Sequence, residues 1–110
     1  MSLRIENAID IHCHFGPDTI GGRLTERSWL QASEADELHK AVSGYDAAKE
    51  AVESGHKAIV LKSHSFCSCQ LAANLHQAFP GLQVFGGTCT DHASGGLSVG
   101  IVESALALPA

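Results

Sequence analysis

Long apolar runs, a basic surplus and aromatic side chains are what this sequence has least of. No apolar stretch approaches the roughly 20 residues that a membrane-spanning helix needs, so no membrane partner is expected. Seven Lys and Arg stand against twelve Asp and Glu, a formal net charge of -5. That balance argues against a nucleic-acid or anionic-membrane surface. Met1-Ser2-Leu3-Arg4-Ile5-Glu6 lacks the apolar core of a secretory signal. The four cysteines, Cys13, Cys67, Cys69 and Cys89, show no C-x2-C spacing. They read as free thiols in a reducing, cytoplasmic setting rather than a disulfide framework. One Trp and one Tyr against seven His is the compositional oddity.

What is present suffices for one domain over residues 1–110, with 45% hydrophobic residues and no low-complexity segment or repeat. Ile9 to Asp18 alternates apolar and polar residues and breaks at Gly16-Pro17. As a strand it is expected to place Asp10, His12 and His14 on one face and Ile9, Ile11 and Cys13 on the other. Residues 15–30 read as a loop and 33–42 as a short helix. Ser43 to Asp46 reads as an interruption. Asp46–Ser54 reads as a helix with the stripe Ala48, Ala51, Val52, ended by Gly55 at C′. Lys57–Lys62 is the clearest strand, and its unbroken apolar centre implies burial on both faces of a parallel sheet. A helix over 70–78, with Leu71, Asn74, Leu75 and Ala78 on one side, ends at Pro80-Gly81. A third strand over 82–87, a Gly-rich loop over 88–96 and an apolar helix over 97–108 follow. The alternation β, α, β, α, β, α implies parallel strands with right-handed crossovers.

In a parallel sheet the loops that follow strands emerge at one end, and that end carries function. Here it collects His12 and His14 from the first strand, Lys62 and His64 from the second, and Asp91 and His92 beyond the third. Two neutral imidazoles two residues apart are a ready pair of metal ligands; otherwise one is a hydrogen-bonded core histidine. His64 reads as a third ligand, an acid–base group or an ordinary loop histidine. Lys62 reads as an anion-binding group, a partner for a carboxylate such as Asp10, or a strand-end lysine reaching solvent. Asp91 reads as base, ligand or turn residue. Cys67-Ser68-Cys69 reads as two ordinary thiols before a helix, Cys13 as core, and His39, His56 and His76 as surface residues.

Asp10-Ile11-His12-Cys13-His14, followed by Gly16-Pro17, resembles the D-x-H-x-H opening of the amidohydrolase superfamily, which are metal-dependent hydrolases on (β/α)8 barrels. Ile9–Asp18, Gly55–His64, Val84–Gly87 and Gly95-Gly96-Leu97 together look more closely like an uncharacterised amidohydrolase-like family, over most of the chain and in order. The resemblance implies a metal site with His12 and His14 as ligands and Lys62 and His64 as site residues at the next strand. The lysine that bridges two metals in some amidohydrolases lies on a different strand, so that role is not carried onto Lys62. A (β/α)8 barrel needs about 250 residues. The expected fold is therefore α/β, the N-terminal portion of a TIM-type barrel with about three strands, as a fragment or a truncated product. Its uncovered faces imply a homo-oligomer. The expected function is hydrolysis of an amide, ester or related bond in a small-molecule substrate. A divalent cation, zinc first, held by His12, His14 and His64, would bring a bound water's pKa toward roughly 7, with Asp91 as base. The alternative is a truncated, non-catalytic metal-binding or interaction module that self-associates.

Overall fold

An alternating segment and two apolar ones become three strands: β1 (Ile9–His14), β2 (Ala58–Lys62) and β3 (Gln83–Phe85). They form one parallel sheet in the order β1-β2-β3. The structure is a computed structural model that describes residues 4–16, 42–64 and 66–108. The helix expected over 33–42, apart from Val42, and most of the loop expected over 15–30 lie outside those residues. Helix α1 (Gly44–Glu53) joins β1 to β2, and α2 (Cys69–Ala78) joins β2 to β3. A 3-10 turn at His92–Ser94 and helix α3 (Val99–Leu106) follow β3. Among the described residues no helix is long and apolar enough to cross a membrane.

Ser43 starts α1 rather than interrupting it. Its hydroxyl accepts from the Asp46 amide at 3.1 Å, and the Asp46 carboxylate accepts from the Ser43 amide at 3.3 Å. This reciprocal capping box satisfies two otherwise orphaned donors. At the other end Gly55 adopts φ +84°, as expected of a C′ glycine. The amides of Gly55 and His56 close back onto the carbonyls of Val52 and Ala51, the pattern of a Schellman cap. The buried stripe is Ala47, Ala48 and Ala51, while Val52 stays exposed. On α2 the buried positions are Cys69, Ala72 and Leu75, with Leu71 partly buried and Asn74 and Ala78 exposed. In both helices the inward face is turned one position from the expected stripe.

Both helices cover the same face of the sheet. Ala48, Ala51, Ala72 and Leu75 pack with Ile59, Leu61, Leu82 and Val84 in one core. Each large side chain buried there contributes roughly 1.5–3 kcal/mol. The opposite face carries Ile9 beside Ala58 and Val60 beside Phe85, and is not covered by a helix among the described residues. Burial on both faces of β2 therefore holds for Ala58 alone, which is small and flanked in register by Ile9 and Gln83. The last helix, α3, buries none of its residues.

β1 departs from regular alternation. Ile9 pairs with Ala58 and Asp10 with Ile59, but Cys13 pairs with Leu61 and His14 with Lys62. Ile11 and His12 thus stand opposite Val60 alone, which is a β-bulge. One extra residue inverts the faces downstream. Asp10 is paired with a core residue and His14 with an open-face residue, so Asp10 does not share the histidine face. Ile9 and Ile11 are exposed, at 54% and 77%, and only Cys13 packs against the core. Asp10 Oδ1 accepts from the His12 amide at 2.9 Å, satisfying a donor within the bulge.

The exit of β3 is joined to the start of α2. A Cβ on Gly86 would lie 2.3 Å from Cys69 Cα and 2.5 Å from Cys69 N, and neither backbone atom can give way. Gly86→Ala is therefore expected to destabilise the fold by about 3 kcal/mol or more. Ala at Gly81, where a Cβ meets nothing within 4 Å, is expected to be tolerated. Urea unfolding of both variants checks this, and a Gly86→Ala midpoint equal to wild type would contradict the contact.

Candidate functional site

The C-terminal ends of the strands bring the expected polar residues together. His12 and His14 leave the bulged β1 with Nε2 atoms 2.9 Å apart. Lys62 Nζ, at the end of β2, lies 3.4 Å from His12 Nε2. The His64 ring stacks on that of His14, with centroids 5.1 Å apart and planes inclined by 22°. Asp91 Oδ2 stands 3.2 Å from His64 Nδ1. His12, His14, Lys62, His64 and Asp91 thus form one connected series. The expected clustering of these residues at one end of the sheet is what the structure displays.

Proton positions follow from donor chemistry. An ionised carboxylate only accepts, so His64 donates from Nδ1 to Asp91, and its Nε2 is the basic nitrogen. Lys62 only donates, so in its contact with His12 the imidazole Nε2 is the acceptor. Desolvation pushes the Asp91 carboxyl up. Hydrogen bonds from His64 and from the Ser94 amide and hydroxyl outweigh that, and hold it below its ordinary value. A carboxyl held low is a weak base at neutral pH. Asp91 is better suited to orienting the His64 ring.

The one mark of Ser94 in the sequence is the capping pattern Asp91-His92-Ala93-Ser94. Asp91 Oδ1 accepts from the Ser94 amide at 3.2 Å, and the Ser94 hydroxyl bonds the Cys89 carbonyl. Together these fix the loop that carries Asp91. His92 is exposed and does not enter the series. His76 is exposed but donates from Nδ1 to the Leu82 carbonyl at 2.7 Å, tying α2 to the turn before β3. His39 lies outside the described residues.

A groove of about 280 Å³ opens on the uncovered face beside His12 and Lys62, floored by Val60 and walled by Gly87 and Thr88. For a cation, the donor chemistry fits in part. Two imidazoles about 2.0–2.1 Å from a tetrahedral zinc stand roughly 3.3 Å apart, so the observed 2.9 Å needs only a slight opening. Yet among the described residues no three His, Cys, Asp or Glu side chains are placed to hold one ion. The Lys62 ammonium also faces the same nitrogen of His12 that a metal would take.

A parallel sheet wound in one direction, with imidazoles gathered at the strands' C-terminal ends, places the chain in the α/β class. Residues 7–110 match a family described as a family of unknown function, DUF6282, and the chain belongs to that family. No curated protein and no solved structure matches it.

The depressed Asp91 carboxyl has a pH signature. Its folded-state pKa lies below the roughly 3.9 of an unfolded aspartate. The charge therefore contributes stability above that range and loses it as pH falls through the folded value. The difference in unfolding free energy between wild type and Asp91→Asn is expected to hold at pH 5 and to close toward pH 2. Urea titrations across that interval check it, and a gap that widens in acid would contradict the assignment.

Proposed function

We propose that this chain carries the first ligands of a metal-dependent, amidohydrolase-like hydrolase. The observation that carries the reading is the convergence of His12 Nε2 and His14 Nε2 to 2.9 Å at the end of a parallel strand. Two further features support it. Asp91 holds the Nδ1 side of His64, the outer-sphere carboxylate–imidazole pairing that metal-binding histidines commonly use. The strand order also runs one way with both connecting helices on one face, as in the opening units of a (β/α)8 barrel.

His12 and His14 would hold the ion through Nε2, with His64 Nε2 as third donor. Such an ion would supply an acidified water, with a pKa of about 7 for zinc, for attack on an amide, ester or related bond. Asp91 would keep the His64 ring oriented. Lys62, at the rim of the groove, would attract an anionic group on a small substrate.

A second reading is favoured by the incomplete donor set and the uncovered sheet face. In it, the chain binds metal or a partner without turnover and self-associates through Ile9, Ile11 and Phe85, which are exposed.

Lys62 provides the sharpest test, because its two roles have opposite signs. Lys62→Ala removes a like charge beside the ion and is expected to raise zinc affinity about tenfold, from roughly 1–2 kcal/mol of relieved repulsion. It should lower hydrolysis of anionic substrates. His12→Ala and His14→Ala should each abolish stoichiometric zinc. Metal analysis and competition titration, with an ester, amide and phosphoester panel, read these outcomes. Zinc-free wild-type protein under replete conditions would remove the hydrolase reading. Stoichiometric zinc with no turnover would favour the second. Mass in solution tests the association: assembly beyond a monomer is expected, and a stable monomer would contradict it.

A further inference from the structure

Cys67 and Cys69 lie outside the histidine series, at the junction between the β2 loop and α2. All four cysteines are free thiols. Cys67 is exposed, and it borders a second groove of about 380 Å³, beside Phe66, Thr88 and Ser94. Cys69 is the first residue of α2 and is buried, at 9% exposure. Between them Ser68 adopts φ -97°, ψ 4°, a bent rather than extended backbone. That bend brings its neighbours closer than the roughly 7 Å of extended chain and toward the roughly 4.4–6.8 Å that disulfides span.

Ser68 is itself fixed. Its hydroxyl donates to the Leu61 carbonyl at 2.8 Å and accepts from the Gly87 amide at 2.9 Å. The fold therefore already holds the two cysteines beside one another, and closing the ring costs little further ordering. Reactivity divides between them by position. The exposed thiol is open to attack a reagent, while burial and the neighbouring Cys67 push the Cys69 thiol up. Burial likewise pushes up the Cys13 thiol, which faces the core.

We infer that Cys67 and Cys69 form a thiol–disulfide exchange site for low-molecular-weight disulfides, with Cys67 attacking and Cys69 resolving. The Cys67 thiolate attacks one sulfur of glutathione disulfide, forming a mixed disulfide and releasing one glutathione thiolate. The Cys69 thiolate then attacks Cys67 Sγ, forming the Cys67–Cys69 bond and releasing the second glutathione thiolate. The protein dithiol loses two electrons and two protons, and the glutathione disulfide gains the electrons. Because Ser68 ties β2 to the exit of β3, ring closure acts on the segment that carries Lys62 and His64.

The test incubates the full chain, metal-free, with defined ratios of reduced and oxidised glutathione, followed by acid quench, alkylation and mass spectrometry. A chymotryptic digest cleaving at Phe79 or Phe85 separates Cys89 from the pair. Wild type is expected to give a Cys67–Cys69 peptide lacking two hydrogens and resistant to alkylation, with Cys13 and Cys89 still alkylated. Cys69→Ala should accumulate the glutathione adduct at Cys67. Cys67→Ser should slow oxidation of Cys69 at least tenfold. A persistent glutathione adduct on wild-type Cys67, or a bond to Cys89 instead, would overturn the inference. The wild-type map decides this even if Cys69→Ala fails to fold.

Discussion

Two strand exits are held by one side chain. The Ser68 hydroxyl spans from the Leu61 carbonyl to the Gly87 amide, and the Ser68 amide donates to the Gly87 carbonyl at 2.9 Å. Ser68 is 2% exposed, so its hydroxyl cannot fall back on water. A buried donor left unpaired costs about 1–3 kcal/mol, and two backbone groups depend on this hydroxyl. The contact also needs the absence of a side chain at Gly86, where α2 begins against the exit of β3. Lys62, Ser63 and His64 leave β2 immediately after Leu61, and the loop bearing Cys89 and Asp91 begins at Gly87. The relative placement of Lys62, His64 and Asp91 therefore traces back to this joint.

The joint also shows the limit of reading sites from local pattern. Ser68 stands where a helix N-cap serine stands, and it occupies the N-cap position of α2, yet its side chain makes no cap bond. Its hydroxyl is spent on β2 and β3 instead, a choice only the packed sheet can impose. The three strands and the helices between them were legible because the alternation of Ile9–His14, the unbroken apolar centre of β2, Gly55 and Pro80-Gly81 mark them in the chain itself. Helix faces were displaced, Ala47 for Val52 on α1 and Ala72 for Asn74 on α2. Which face turns inward is decided by what lies opposite, and α1 approaches closely enough that a Cβ on Gly44 would meet Leu71 at 2.9 Å.

The candidate site was legible as a neighbourhood, not as a geometry. That His12, His14, Lys62, His64 and Asp91 share one end of the sheet follows from strand direction alone. That Asp91 reaches His64 across 27 residues depends on a 3-10 turn capped by Asp91 itself. A short turn of three residues leaves little periodicity to detect. The consequence for chemistry is a shift of role. A carboxylate already bonded to an imidazole and to Ser94 is committed to holding that imidazole, while the basic nitrogen in the pair belongs to His64.

The bulge in β1 carries a consequence for how such a chain can change. His14 shares the open face with Lys62 because Ile11 and His12 together face a single residue of β2. Substitutions at these positions alter what the face presents but leave its parity intact. A ladder that kept every residue but lost the bulge would set His12 opposite Leu61 and Cys13 opposite Lys62, driving an imidazole toward the aliphatic core and a thiol toward the groove, whereas loss of one residue between Asp10 and Cys13 would close a regular ladder that keeps Cys13 opposite Leu61 and His14 opposite Lys62. The bulge is thus the place in β1 where the loss of one residue leaves the downstream faces unchanged, while an insertion there would invert them.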